Sequence, residues 1–140
     1  MISQKLAINI MIAILTAVLV LHALVLTGVI PYAIVWAGKI NTAAEMRKLE
    51  VGSILVNAFA IFILVLKADY VKHSVPVKIL NAIIWLLAVL FSLNTIGNLF
   101  AKSQFELFFF TPITFTSAIL CLRIVYSGNN ILLESSHDSS

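Results

Sequence analysis

The chain reads as an all-α polytopic membrane protein, an antiparallel bundle of four transmembrane helices, and three observations carry that reading. Residues Leu6 to Gly38 contain no Asp, Glu, Lys or Arg over thirty-three positions. Three further charge-poor apolar runs follow. Of the 140 residues 61% are hydrophobic and 11% charged, with a mean hydropathy of +1.09, against about half apolar in an ordinary soluble domain. A helix needs roughly 20 apolar residues to cross the hydrocarbon core of a bilayer, so the four runs take up nearly the whole chain. One domain over 1–133 is expected, with spans near 6–30, 50–68, 77–101 and 105–126 and a disordered polar tail over 134–140.

The first span starts at about Leu6 and ends near Ile30, where Gly28 and Pro31 interrupt the helical hydrogen bonds. A cleavable signal has an apolar core of only about 7 to 15 residues, and this run is longer than that, so the span is read as uncleaved. The next segment, Pro31 to Gly38 (PYAIVWAG), is too apolar for a free loop. Tyr32 and Trp36 favour the headgroup level, which predicts a kinked or interfacial extension. Thr42-Ala43-Ala44-Glu45 matches a capping box and opens the second helix, whose apolar part is Val51 to Leu66, closed by Lys67, Asp69 and Tyr70.

Ser74 and Pro76 supply a cap and a first-turn proline for the third helix, uncharged from Ile79 to Ala101. Ser103-x-x-Glu106 is a second capping-box pattern and opens the fourth helix, which is expected to stop at Ser127-Gly128-Asn129-Asn130. Pro112 within it predicts a kink there, the alternative being a true start at Thr111. The tail ESSHDSS has nothing to bury, and His137 in it is a solvated residue. Short loops force consecutive helices to be antiparallel neighbours. With four spans, the side holding both termini carries Lys5, Lys67, Lys72, Lys78 and Arg123, and the other side Lys39, Arg47, Lys48 and Lys102. That balance leans toward cytoplasmic termini in an inner or plasma membrane.

Helices in lipid gain no hydrophobic energy from touching, so small and hydrogen-bonding side chains mark the faces expected to meet. The first helix has such a stripe at Asn9, Ala13, Thr16, Val20, Ala23 and Thr27. The second has Glu50, Ser53, Asn57, Ala60, Leu64 and Lys67. The third has Asn81, Trp85, Ala88, Ser92 and Thr95 on one face and Asn94 with Asn98 nearly opposite.

Depth adds a second constraint. His22 lies nine residues before Pro31, Asn57 seven after Glu50, Asn94 eight before Lys102 and Thr114 eight after Glu106. At 1.5 Å of rise per residue all four fall about 10 to 14 Å below one surface. Thr27, Ser53, Thr95, Asn98 and Thr111 sit above them, and the other half of the bundle holds little beyond Asn9, Thr16, Asn81 and Ser117. A polar pocket opening to one side follows, with His22, Glu50, Ser53, Asn57, Asn94, Asn98 and Thr114 as its candidate ligand-binding residues.

Each candidate has a structural alternative. His22 is the one ionisable side chain well inside a span, and the alternative is a neutral imidazole bonded to a Thr or Asn of a neighbouring helix. Glu50 is an acid at the pocket mouth or an interfacial charge paired with Arg47 or a loop lysine. Glu106 caps its helix. The asparagines bind a polar ligand or join helices, and Phe105, Phe108, Phe109 and Phe110 form packing or outward surface.

The charge pattern excludes a nucleic-acid surface: nine Lys and Arg are scattered, and the pI of 9.2 reflects membrane flanks. Cys121 stands alone, excluding an intrachain disulfide and a Cys-x-x-Cys motif. His22, His73 and His137 share no ligand spacing, and no nucleophile with its base or phosphate-binding loop is visible, so neither a cofactor, a metal nor an enzyme activity is expected. In size and span count the chain looks like small multidrug-resistance transporters, whose first span carries a carboxylate where this one has His22. It is also similar in size to the small eicosanoid and glutathione membrane enzymes, without their run of arginines and asparagines. The functional expectation is a small membrane protein that binds a lipid or small amphiphile, or serves as a subunit of a homo-oligomer or larger membrane assembly. The alternative is a proton-coupled transporter titrating at His22 or Glu50.

Overall fold

A computed structural model of the chain describes residues 2–36 and 40–137, with the backbone alone over 129–136. It is all helical, and no strand occurs among the described residues. The first helix, α1, spans Gln4–Leu26, begun by Ser3, whose hydroxyl accepts the Leu6 amide at 3.2 Å. It closes four residues earlier than expected because Gly28 takes φ +81°, a conformation that disfavours side chains with a Cβ. Gly28 donates to the Val25 carbonyl and Ile30 to that of Leu24. A single turn, α2 (Tyr32–Val35), follows Pro31 and buries Val35. The rest of the expected extension, residues 37–38, lies outside the described residues.

Helix α3 spans Ala43–Lys67, and the Thr42 hydroxyl accepts the Glu45 amide at 3.2 Å. The return half of the capping box is displaced by one position, the Glu45 carboxylate accepting from Asn41 rather than Thr42. At its end Asp69 has φ +56°, with Asp69 donating to Leu66 and Tyr70 to Val65, the paired bonds of a Schellman close. Helix α4 (Val77–Leu99) has Pro76 at its cap position and no side-chain cap, so Ser74 does not serve as one.

The last helix departs most from expectation. A π-helical turn, Glu106–Phe110, runs directly into α5, Thr111–His137. Pro112 lacks an amide proton, and its ring crowds the carbonyl four residues back in a regular α-helix. Widening the ladder before it accommodates the ring without a break. Ser103 does not close a box with Glu106; its hydroxyl donates to the Ile34 carbonyl at 2.8 Å.

The expected stop at Ser127-Gly128-Asn129-Asn130 and the disordered tail from 134 are both corrected, because helix continues to His137, and of the tail only residues 138–140 lie outside the described residues. Gly128 is a point of close approach: a Cβ there would lie 3.1 Å from Lys67 Nζ and 3.2 Å from Gln4 Nε2. Ser and Asn cost a running helix only a few tenths of a kcal/mol each relative to better formers, which is no stop signal without a proline.

The four long helices close a ring. α4 packs most extensively on α5 and α1 on α3, α1 also meets α5, and α3 with α4 touch least. Ile8, Met11 and Leu15, Ala60 and Leu64, Leu80 and Ile84, Cys121 and Ile124 make the apolar core. One expected contact face is wrong. The α1 stripe Asn9, Ala13, Thr16, Val20, Ala23 and Thr27 is exposed, and α1 buries Ala7, Ile8, Met11, Leu15, His22 and Val25 instead. The threonine hydroxyls need no neighbouring helix, since Thr16 donates to Ile12 O at 2.7 Å and Thr27 to Ala23 O at 2.9 Å. On α3, by contrast, Glu50, Asn57, Ala60 and Leu64 are all buried.

At the end of the bundle away from α2, Lys67 donates to Asn81 at 2.6 Å, Gln4 to the Ile124 carbonyl at 2.8 Å, and Tyr70 to Asn9. Gly128→Leu displaces the Lys67 and Gln4 side chains from this cluster and is expected to lower stability by about 1–3 kcal/mol, the usual range for overpacking. Thermal unfolding in detergent measures it, and an unchanged midpoint contradicts the close approach.

Candidate ligand-binding site

Glu50 is the pivot of the opposite end. Its residue surface is 0% exposed, two turns into α3. A carboxylate withdrawn from water needs donors on its oxygens, and two other elements supply them. His22 Nδ1, on the buried face of α1, is hydrogen-bonded to Oε2 at 2.7 Å. The Trp36 indole N–H, just past α2, donates to Oε1. Indole nitrogen only donates, so Oε1 is the acceptor of that bond. Neither local alternative for these residues holds: Glu50 is no exposed partner of Arg47, and His22 bonds a carboxylate rather than a Thr or Asn. The reason lies in the turn after Gly28, which folds α2 back so that Trp36 reaches α3.

Beside this group is a cavity of about 420 Å³, within the range of small-molecule sites. Six of the seven sequence-derived candidates line it: His22 from α1, Ser53 and Asn57 from α3, Asn94 and Asn98 from α4, and Thr114 from α5. Glu50 does not reach it and stands behind His22. Leu15, Val18, Leu90 and Phe91 form the apolar part of the wall. The level at which four helices were expected to present polar groups thus coincides with one space.

The polar groups differ in what remains open to a ligand. Asn57 Nδ2 donates to Ser53 O at 2.8 Å, leaving its Oδ1 as an acceptor. Thr95 donates to the Thr114 hydroxyl at 2.9 Å, which donates onward to Phe110 O at 2.9 Å. The side-chain amides of Asn94 and Asn98, though in the wall, share no hydrogen bond with any described residue. Trp36, Lys48 and Gly52 also line the cavity and were not singled out from the sequence. Lys48 looked like an ordinary flank charge, and Gly52 carries no polar signal.

Gly52 lies in the interior of α3, yet a Cβ there would meet nothing within 4 Å. The helix therefore accepts the usual cost of an interior glycine, about 1 kcal/mol relative to alanine, without any close packing that requires it.

Two outcomes are expected in chemical denaturation of the detergent-solubilised protein. Glu50→Leu strands the His22 and Trp36 donors and lowers stability by about 3–5 kcal/mol, and adding His22→Leu recovers part of that loss, as for other buried pairs removed together. Gly52→Ala raises stability by about 0.5–1 kcal/mol. A double variant no better than Glu50→Leu alone contradicts the pairing. Set beside known protein families, curated proteins and solved structures, the chain matches none of them.

Proposed function

We propose that this protein is a small integral membrane protein, an antiparallel bundle of four spans in an inner or plasma membrane, that binds a lipid or small amphiphile in its half-polar cavity and carries out no chemistry on it. The observation that carries the reading is the cavity itself: amides and hydroxyls from α3, α4 and α5, an imidazole from α1 and the Lys48 side chain share one space whose remaining wall is largely aliphatic and aromatic. Such a lining suits a molecule with one polar and one apolar end.

Among the described residues, four helices are long and apolar enough to cross a membrane. Leu55, Phe59, Phe62, Leu86, Leu93, Phe115 and Ile119 are exposed on their outer faces, a surface that favours lipid over water. Side-chain pairs support the antiparallel order, since His22 late in α1 meets Glu50 early in α3 and Thr95 late in α4 meets Thr114 early in α5. The excess of Lys and Arg beside the termini supports cytoplasmic ends.

Native mass spectrometry of protein released from lipid nanodiscs tests the binding. One retained amphiphile per chain is expected, and Asn57→Leu or Asn94→Leu reduces its retention about ten-fold, the equivalent of one lost hydrogen bond to a buried polar group. Retention unchanged in both variants counts against the cavity as the site.

One observation favours a second reading, a proton-coupled carrier: His22, which lines the cavity, is hydrogen-bonded through Nδ1 to the buried Glu50 behind it. In proteoliposomes, proton-coupled uptake that is lost in His22→Ala and in Glu50→Gln supports the carrier, and flux that is absent from the parent or unaffected in both variants removes it.

A further inference from the structure

The cavity is walled unevenly. Its α1 and α5 lining is buried or half-buried, and every exposed residue that lines it, Lys48, Leu49, Gly52, Val56 and Asn94, belongs to α3 or α4. Of the four adjacent pairs of long helices in the ring, this one is packed least closely. Leu49, Gly52 and Val56 follow one line along α3, as Leu90, Asn94 and Asn98 do along α4, since residues three and four apart share a helix face. From Leu49 to Val56 that line covers about 10 Å at the helical rise. The opening is thus a slit running along the bundle axis, on its flank. Gly52 stands in its α3 edge with open space where a side chain would be.

Charge narrows the occupant. Lys48 is the one permanently charged residue in the lining, and no carboxylate lines it among the described residues. Glu50, behind His22, is buried and already engaged by His22 and Trp36. An acidic headgroup finds a cation and amide donors here, whereas a basic one finds no counter-charge.

Resting on the amphiphile-binding reading above, we propose that the ligand is a single-chain amphiphile with an anionic headgroup, entering sideways from the bilayer through the slit between α3 and α4. The head sits toward Lys48 and Asn98, and the chain lies along Leu15, Val18 and Leu90. The absent side chain at Gly52 keeps the slit open.

The test uses the full chain in phosphatidylcholine nanodiscs containing either palmitate or monopalmitoylglycerol, read by native mass spectrometry. Palmitate is retained at one per chain and the neutral glyceride about ten-fold less; Lys48→Gln weakens palmitate about ten-fold and removes the preference, as loss of one charge-assisted contact requires. Gly52→Leu, whose Cβ would meet nothing within 4 Å, abolishes retention while its melting temperature stays at or above that of the parent. Equal retention of the two amphiphiles overturns the anionic class, and parental retention by Gly52→Leu overturns the lateral route; either leaves the cavity reading standing if Asn57→Leu still releases the bound molecule. Retention of neither amphiphile by the parent removes both.

Discussion

Much of this structure depends on a carboxylate that has no access to water. Glu50, fully buried, is held from two sides, by His22 of α1 and by Trp36 beyond α2. Burying such a group is unfavourable unless its oxygens are hydrogen-bonded, so α1, α3 and the segment between them are tied into one arrangement at this end. The tie sets the rotation of α1, brings His22 inward and closes one wall of the cavity. It also removes the acid from that cavity, leaving Lys48 to set the sign of the lining.

Elsewhere, polar side chains follow a different economy. Thr16 and Thr27 return their hydroxyl protons to carbonyls one turn back in their own helix, and Ser92 and Ser117 do the same on α4 and α5. A hydroxyl satisfied in this way places no demand on a neighbour. Asparagine has both a donor and an acceptor to satisfy. Asn57 settles one of them locally, whereas Asn94 and Asn98 face the cavity with both kinds of group open. This contrast separates structural hydroxyls from amides available to a ligand.

Local irregularities also shape the site. The π turn before Pro112 lets the fourth apolar segment run on as one helix, so α5 supplies Thr114 at the cavity and Gly128 at the far end without a joint between them. The ring of helices is packed closely from α3 through α1 and α5 to α4 and loosely between α3 and α4. The proposed route for a ligand follows that looseness, and Gly52 keeps its edge clear.

The four apolar helices were legible in the sequence because length and hydropathy are local properties of a segment. So was the common level of His22, Asn57, Asn94 and Thr114, because helical rise is constant and depth can be counted residue by residue. The rotation of α1 was not legible: its small and hydroxyl residues form a regular stripe, but hydroxyls that bond their own backbone carry no information about neighbours. The partner of Glu50 was hidden as well, since Trp36 is fourteen residues away and meets it only after the chain turns at Gly28. Gly128 looked like a helix exit because a glycine that ends a helix and one that admits a lysine from another helix are the same letter. Sequence alone determined the four apolar helical segments and the level their polar groups share along them; tertiary structure decided which faces meet, because that depends on partners distant along the chain.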